Sequence, residues 1–486
     1  MPPIDRARLA RLLRAEEEAY AARNARSFAL YQESSKCLLA GVPMHWMVRS
    51  AGRFPVFVES ARGAHFTSAD GHTYIDFCLG DTGAMAGHAA PASVQAVSRR
   101  AADGVTFMLP TADAVWVGRE LQRRFKLPFW QFALTATDAN RFAIRLARHI
   151  TGRPKVLVFN WCYHGTVDEA FITLRPDGST APRAGNIGPP VDPSVTTRVV
   201  EFNDVAALEA ALAGRDVAAV LAEPAMTNIG IIHPDPGYHA ALREITRRTG
   251  TLLIIDETHT ICAGPGGYSG AHGLEPDIFV IGKPIAGGVP VAVYGFTEEL
   301  AARVRGRISD DESDTGGIGG TLAGNALSVA AMRATLEHGL TDDAFRRDRL
   351  PAGGRRGANG RGRARMIALG ERFEAGVATV IADHGLPWIV KRLGCRCEYW
   401  FAPEPPRNGG VAAAAADADL DRFMHLAALN RGILLTPFHN MALMCPATSE
   451  ADVDRHTQVF RESVELLLGA REPAAAPGAP PPQSRL

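Results

Sequence analysis

Two residues of this chain, a lysine and an aspartate that each close an apolar run, are well placed to do chemistry. Lys283 follows Ile278-Phe279-Val280-Ile281-Gly282 and precedes Pro284-Ile285-Ala286-Gly287-Gly288. At the end of a buried strand an ammonium is short of water, so the free amine becomes a usable nucleophile. Asp256 closes a second run, Leu252-Leu253-Ile254-Ile255, 27 residues upstream. An amine and a carboxylate at nearby strand ends suit an aldehyde cofactor with a basic ring nitrogen. Pyridoxal 5'-phosphate has both features: the lysine forms a Schiff base with the aldehyde, and the aspartate keeps the pyridine nitrogen protonated.

The surrounding elements must bring these two strand ends together. Short apolar runs at 156–159, 218–222, 252–255, 278–281 and 291–296 read as strands, with helical stretches such as 236–248 between them. This alternation, from about 115 to 330, predicts an α/β fold with a mostly parallel central sheet flanked by helices. Ligands then bind beyond the carboxyl ends of the strands, where Asp256 and Lys283 fall. A polar helix or two is expected over 4–35, and a hairpin over 54–77 turning at Ala69-Asp70-Gly71-His72. The expected division is an N-terminal helical segment and hairpin (1–85), a large cofactor-binding domain (86–332), a C-terminal small domain (333–471) and a disordered Pro/Ala-rich tail (472–486). The first and third parts together make a smaller α+β domain.

Four further motifs fit the same cofactor. Thr135-Ala136-Thr137-Asp138-Ala139-Asn140 follows an apolar run and opens a helix whose free amides and dipole suit a phosphate, although a hydroxyl there is also an ordinary N-cap. Tyr163, in Tyr163-His164-Gly165, could lie flat on a pyridine ring or be a core tyrosine. Thr258, two residues after Asp256, faces the same side and reaches the other ring face. Gly320-Thr321-Leu322-Ala323-Gly324-Asn325 is a small loop with a hydroxyl able to close on phosphate.

Composition narrows the alternatives. Lys+Arg and Asp+Glu are both 52, which gives no general attraction to nucleic acid or to a membrane surface. The N-terminus has no apolar signal region and no uncharged run is long enough to span a bilayer. Seven scattered cysteines without a CxxC pair predict reduced thiols in a cytoplasmic protein, and Cys395-Arg396-Cys397 lacks the further ligands of a metal site. The segment 346–365 holds eight arginines and five glycines. It reads as a flexible insertion rather than a nucleic-acid segment, because no aromatics interleave.

In this order the motifs resemble class III pyridoxal-phosphate aminotransferases of fold type I, in the branch of glutamate-1-semialdehyde aminomutase and its aminotransferase relatives. The resemblance spans about 54–330 and includes Asp70-Gly71, Tyr74-Ile75-Asp76-Phe77, Gly87-His88, the phosphate turn, Tyr163-His164-Gly165, Glu223-Pro224, Asp256-Glu257, Gly282-Lys283 and Gly320-Thr321. It implies that Lys283 carries the cofactor and acts as the base, that Asp256 partners the ring nitrogen, and that Tyr163 stacks on the ring. It also implies that the Ala136 and Thr137 amides hold the phosphate, that Glu223 lies near the cofactor, and that Thr321 serves the neighbouring subunit's site in a homodimer. Departures are Ala136 where the family has glycine, which predicts a shifted phosphate pose, and Thr258, followed by His259, where it has valine. His259 reads as a structural histidine.

The implied reaction is transfer of an amino group from an amine or amino-acid donor to a carbonyl acceptor in a ping-pong cycle. The alternatives are an aminomutase working within one molecule, a decarboxylating relative, or a non-catalytic binding module using 346–365. The acidic, Gly-rich loop 309–317 is a candidate lid. External transfer is the favoured reading, because it demands less retention of the intermediate. For substrate, Arg49, Arg53 and Arg396 are candidate carboxylate forks, and Trp46 with His45 could line a pocket for a bulky amine or β-amino acid.

Overall fold

The computed structural model describes residues 4–306, 317–346 and 365–471. Its strands in chain order are β1 (Val58–Arg62), β2 (His65–Ser68), β3 (Thr73–Asp76), β4 (Phe129–Ala133), β5 (Lys155–Phe159), β6 (Ile172–Leu174), β7 (Thr180–Pro182), β8 (Thr197–Val200), β9 (Val217–Ala222), β10 (Leu252–Asp256), β11 (Ile278–Ile281), β12 (Ala292–Phe296), β13 (Ile389–Leu393), β14 (Arg396–Trp400), β15 (Ile433–Leu434) and β16 (Met441–Leu443). Seven of them form the central sheet in the order β4-β12-β11-β10-β9-β5-β8. β11, β10, β9, β5 and β8 pair in parallel, and β12 lies antiparallel between β11 and β4.

All five runs read as strands are strands. β9, β10 and β11 are buried along their whole length, which is why they are runs of Val, Ile, Leu, Ala and Phe rather than alternating ones, with Asp256 at the end of β10 the one polar residue. Each fully buried Ile or Leu contributes ~1.5–3 kcal/mol. Asp256 is the last residue of β10 and pairs in register with Val280 of β11. The chain leaving β11 therefore sets Lys283 on the adjacent strand end.

The two chain ends meet in a second body. β2 and β3 form the expected hairpin, and β15 adds to it in parallel, so a C-terminal strand completes an N-terminal sheet. Asp70 of the hairpin turn also accepts the Arg26 N–H at 2.7 Å and the Ser27 N–H at 3.1 Å, tying the helix Ala25–Ser34 to the turn. The helix Arg6–Arg23 packs on the helix Ala418–Asn430, with Arg431–Glu16 paired at 2.9 Å beside them. The division expected at 332–333 falls inside the helix Ala326–His338.

Candidate active site

The carboxyl edge of the parallel strands carries an inner cavity of about 270 Å³, lined by Thr135, Ala136, Thr137, Tyr163, Gly165, Asp256, Thr258, His259 and Lys283. It adjoins an outer cavity of about 1050 Å³ that shares Tyr163 and His259 and adds Trp46, Arg49, Asp81, Trp161, Phe171, Arg183 and Phe438.

The inner floor is built at the end of β4. The helix Ala136–Thr151 starts there, capped by the Thr135 hydroxyl, which accepts the Asp138 N–H at 3.2 Å. Its first amides have no intrahelical acceptor and face an anion-sized space. Ala136 lies outside the left-handed region. The backbone at this position makes no demand for glycine. The small residue is needed at Gly282 instead, where a Cβ would stand 3.0 Å from Ala136 Cβ. Gly165 is also obligatory: at φ 78°, a Cβ would meet Thr137 Oγ1 at 2.1 Å.

Asp256 is buried and fully engaged. Asn140 donates to it at 2.8 Å, His164 Nδ1 lies at 3.0 Å, and the Thr258 amide donates at 3.1 Å. Burial works against its charge, but His164 and these donors outweigh it and hold the carboxyl at about 2. Burial likewise opposes a charged His164, yet Cys162 and Asp256 push it up to about 10. The two shifts each favour the charged form, and Asp256 is a carboxylate in the neutral range. Tyr163 is pushed up to about 12 by burial, helped by the charges of Asp81 and Asp256. Among the described residues the Thr258 Oγ1 is buried without a hydrogen-bond partner. An anion site at a helix start, a fixed carboxylate, an aromatic wall and an unspent hydroxyl fit pyridoxal phosphate.

Lys283 is paired, not isolated, which corrects the expectation of an amine freed by burial alone. Its Nζ donates to Asp81 Oδ2 at 2.7 Å and lies 2.8 Å from His259 Nε2. His259, read from sequence as structural, is thus in the site. Burial, together with Lys283 and Arg396, holds it well below its ordinary value, so the ring is neutral. Asp81 is held far below the usual carboxylate range: burial opposes this, but Lys283, His259, His439 and Arg396 prevail.

Other sequence candidates divide. Trp46 and Arg49 line the outer cavity, with Trp46 stacked at a tilt 5.2 Å from Tyr163, and His45 joins them. Arg53 does not: it points to solvent and pairs with Glu17 at 2.7 Å. Arg396 is buried and spends its guanidinium on His259 Nδ1 and Thr227 O, each at 3.2 Å, so it is no substrate fork. Glu223 lies buried, accepts the Thr227 hydroxyl, and is pushed up to about 7 by burial. Thr321 is exposed and outside both cavities. Most of loop 309–317, all of 347–364 and the tail 472–486 lie outside the described residues. Asp81, Asn140, His164 and Phe438 were given no role from sequence. Asn140 and His164 stand inside motifs read for their neighbours, Asp81 sits in the turn-like Gly80-Asp81-Thr82-Gly83 just after the hairpin, and Phe438 left no signal.

The fold and this site define a pyridoxal-phosphate-dependent enzyme of fold type I. The family model described as Aminotransferase class-III matches residues 46–348, and the chain belongs to that family. A protein named glutamate-1-semialdehyde 2,1-aminomutase from Sorangium cellulosum is 33% identical over 450 residues, covering 90% of this chain and 96% of the relative. The crystal structure of a glutamate-1-semialdehyde-aminomutase from Pseudomonas aeruginosa PAO1 superposes with a TM-score of 0.90 at 49% identity, covering 96% and 99% of the two chains. A lysine-to-alanine variant of that protein was solved in complex with PMP. An omega-transaminase from Sphaerobacter thermophilus matches with a TM-score of 0.80 at 28% identity, covering 91% of this chain and 98% of that one. These relatives favour the aminomutase alternative over the external transfer that the sequence reading preferred. Among the described residues no helix is long and apolar enough to cross a membrane.

Proposed function

We propose that this chain moves an amino group within one small amino-aldehyde that bears a carboxylate, as the relatives named glutamate-1-semialdehyde 2,1-aminomutase do. The observation that carries this reading is Arg49, which lines the outer cavity and has no ion-pair partner among the described residues. A cation left unpaired beside an active site suits a substrate carboxylate.

Each residue then has a task. The bound cofactor supplies an aldehyde for an amine and a ring that takes up the electron pair left by a departing proton. Lys283 holds the cofactor and, once displaced, takes a proton from the substrate carbon at Nζ and returns it elsewhere. Asp256 keeps the ring nitrogen protonated. The amides of Ala136 and Thr137 bind the phosphate next to Thr135, Tyr163 covers one ring face, and Thr258 offers its hydroxyl. Glu223 backs the site from behind. The exposed Thr321 supports a homodimer in which each copy completes the other's site. Six buried free cysteines support a reducing, cytoplasmic setting.

The test is to give the cofactor-loaded protein glutamate 1-semialdehyde alone. Formation of 5-amino-4-oxopentanoate without an added acceptor is the expected result. If that fails while amine donors plus pyruvate yield alanine, external transfer is the activity. The aromatic lining of the large outer cavity, Trp46, Trp161, Phe171 and Phe438, favours that second reading for a bulky amine or β-amino acid.

A further inference from the structure

The carboxylate that meets Lys283 is delivered by an unusual backbone. Leu79, Gly80, Asp81 and Thr82 are four consecutive residues in the left-handed region, at φ 46°, 59°, 49° and 82°. Three of them are not glycine, and such strain persists only where the surroundings over-determine it. Asp76 braces the turn: its Oδ1 accepts the Leu79 N–H at 2.8 Å and its Oδ2 meets His88 at 2.7 Å. The result is that Asp81 reaches Lys283 Nζ and the Thr82 hydroxyl reaches His259 Nδ1 at 2.9 Å.

The groups around His259 decide which ring nitrogen carries its proton. Arg396 NH1 lies 3.2 Å from Nδ1, and a guanidinium only donates. Nδ1 must therefore accept, so in the neutral ring the proton sits on Nε2 and points at Lys283 Nζ, 2.8 Å away. An N–H aimed at an amine needs a lone pair, which the ammonium lacks. Asp81 acts the other way, since a carboxylate favours the charged amine.

We propose that Arg396, His259 and Asp81 poise the free amine of Lys283 between its two proton states: Arg396, acting through His259, favours the neutral amine, and Asp81 favours the ammonium. This rests on the reading of Lys283 as the reacting amine. Such an amine must reach both states in every turnover, because its lone pair takes a proton from one carbon and gives the same proton to another. No further reactant is required. Asp81, His259 and Arg396 are positioning residues that act through Lys283. The charged and titratable groups facing His259 are Lys283, Asp81, Arg396 and Asp256, and those facing Asp81 are Lys283, His259, His439, Arg396, Tyr163 and Cys78. Behind them Glu398 lies 3.9 Å from Arg396 and 3.5 Å from His439.

The experiment labels cofactor-free, full-length protein with trace acetic anhydride from neutral to alkaline pH and reads modification of Lys283 by peptide mass spectrometry. Asp81→Asn is expected to label about tenfold faster than the parent near neutrality. His259→Asn, whose shorter amide leaves Arg396 an acceptor but does not reach Nζ, is expected to label more slowly. Both differences should close at alkaline pH, where every amine is neutral. Shifts in the same direction, no shift, or differences that persist at alkaline pH, meaning altered access, would overturn the proposal. Thermal unfolding of each variant checks the fold, and Asp81→Ser and His259→Phe stand in should either fail to fold. Labelling needs neither cofactor nor substrate. It fails independently of the functional reading, which borohydride reduction of pyridoxal phosphate onto Lys283 tests separately.

Discussion

Asp256 shows how a single side chain couples function to stability. Its two oxygens are held by Asn140, His164 and the Thr258 amide, with the His164 ring fully buried beside them. Asp256→Asn removes the charge and leaves a buried imidazolium without its partner. Loss of about 3–5 kcal/mol in urea unfolding is expected, together with at least a hundredfold drop in rate (about 2.7 kcal/mol). The pH dependence has a definite sign. The fold raises His164 from 6.5 to about 10, so its contribution is complete below pH 6.5 and fades as pH rises through about 10. The fold lowers Asp256 from 3.8 to about 2, so its contribution is present above pH 3.8 and fades as pH falls through about 2. Glu223 runs opposite to Asp256. Raised from 4.5 to about 7, it is stabilising as the acid below pH 4.5 and loses that as pH rises through about 7. Glu223→Gln should therefore flatten the stability profile between pH 5 and 8, removing on the order of 3 kcal/mol of variation in thermal unfolding.

At the scale of elements, the start of the helix Ala136–Thr151 is shaped by two neighbouring loops. Gly165→Ala forces a Cβ into Thr137 at a left-handed position and costs on the order of 1–3 kcal/mol. The strain falls on the phosphate floor, so weaker binding of pyridoxal phosphate is expected, read by fluorescence titration, with the rate at saturation nearly kept. Ala136→Gly should change that affinity little, because the backbone there needs no glycine freedom. The elements themselves were legible: continuous apolar runs mark strands buried on both faces, and the spacing of Phe142, Ala143, Leu146 and Ile150 marks one buried helix face. A motif compared with its family shows the missing glycine at Ala136 but not the close approach of Gly282 beside it, which only the tertiary structure gives.

For the whole molecule, the joining of both chain ends in one sheet and the exposure of Thr321 shape the expectations. If each copy completes the other's site, mixing Lys283→Ala with Thr321→Ala subunits gives mixed dimers in which one of the two sites is intact. Activity that appears on mixing, from two preparations each weak alone, is the expected outcome. Activity that stays at the average of the separate preparations would mean that each chain works alone.

The chain alone determined the strands, the placing of Asp256 and Lys283 at their ends, and the ordered motifs of the family. These are local features, set by hydrophobic period and by which residue follows a buried run. Only the tertiary structure decided partners. Asp81 reaches Lys283 across 202 positions and Arg396 reaches His259 across 137, while Arg53 turns to Glu17 in solvent instead of to substrate. Such meetings depend on how the N-terminal and C-terminal segments fold over the central sheet, and no run of neighbouring residues encodes that distance.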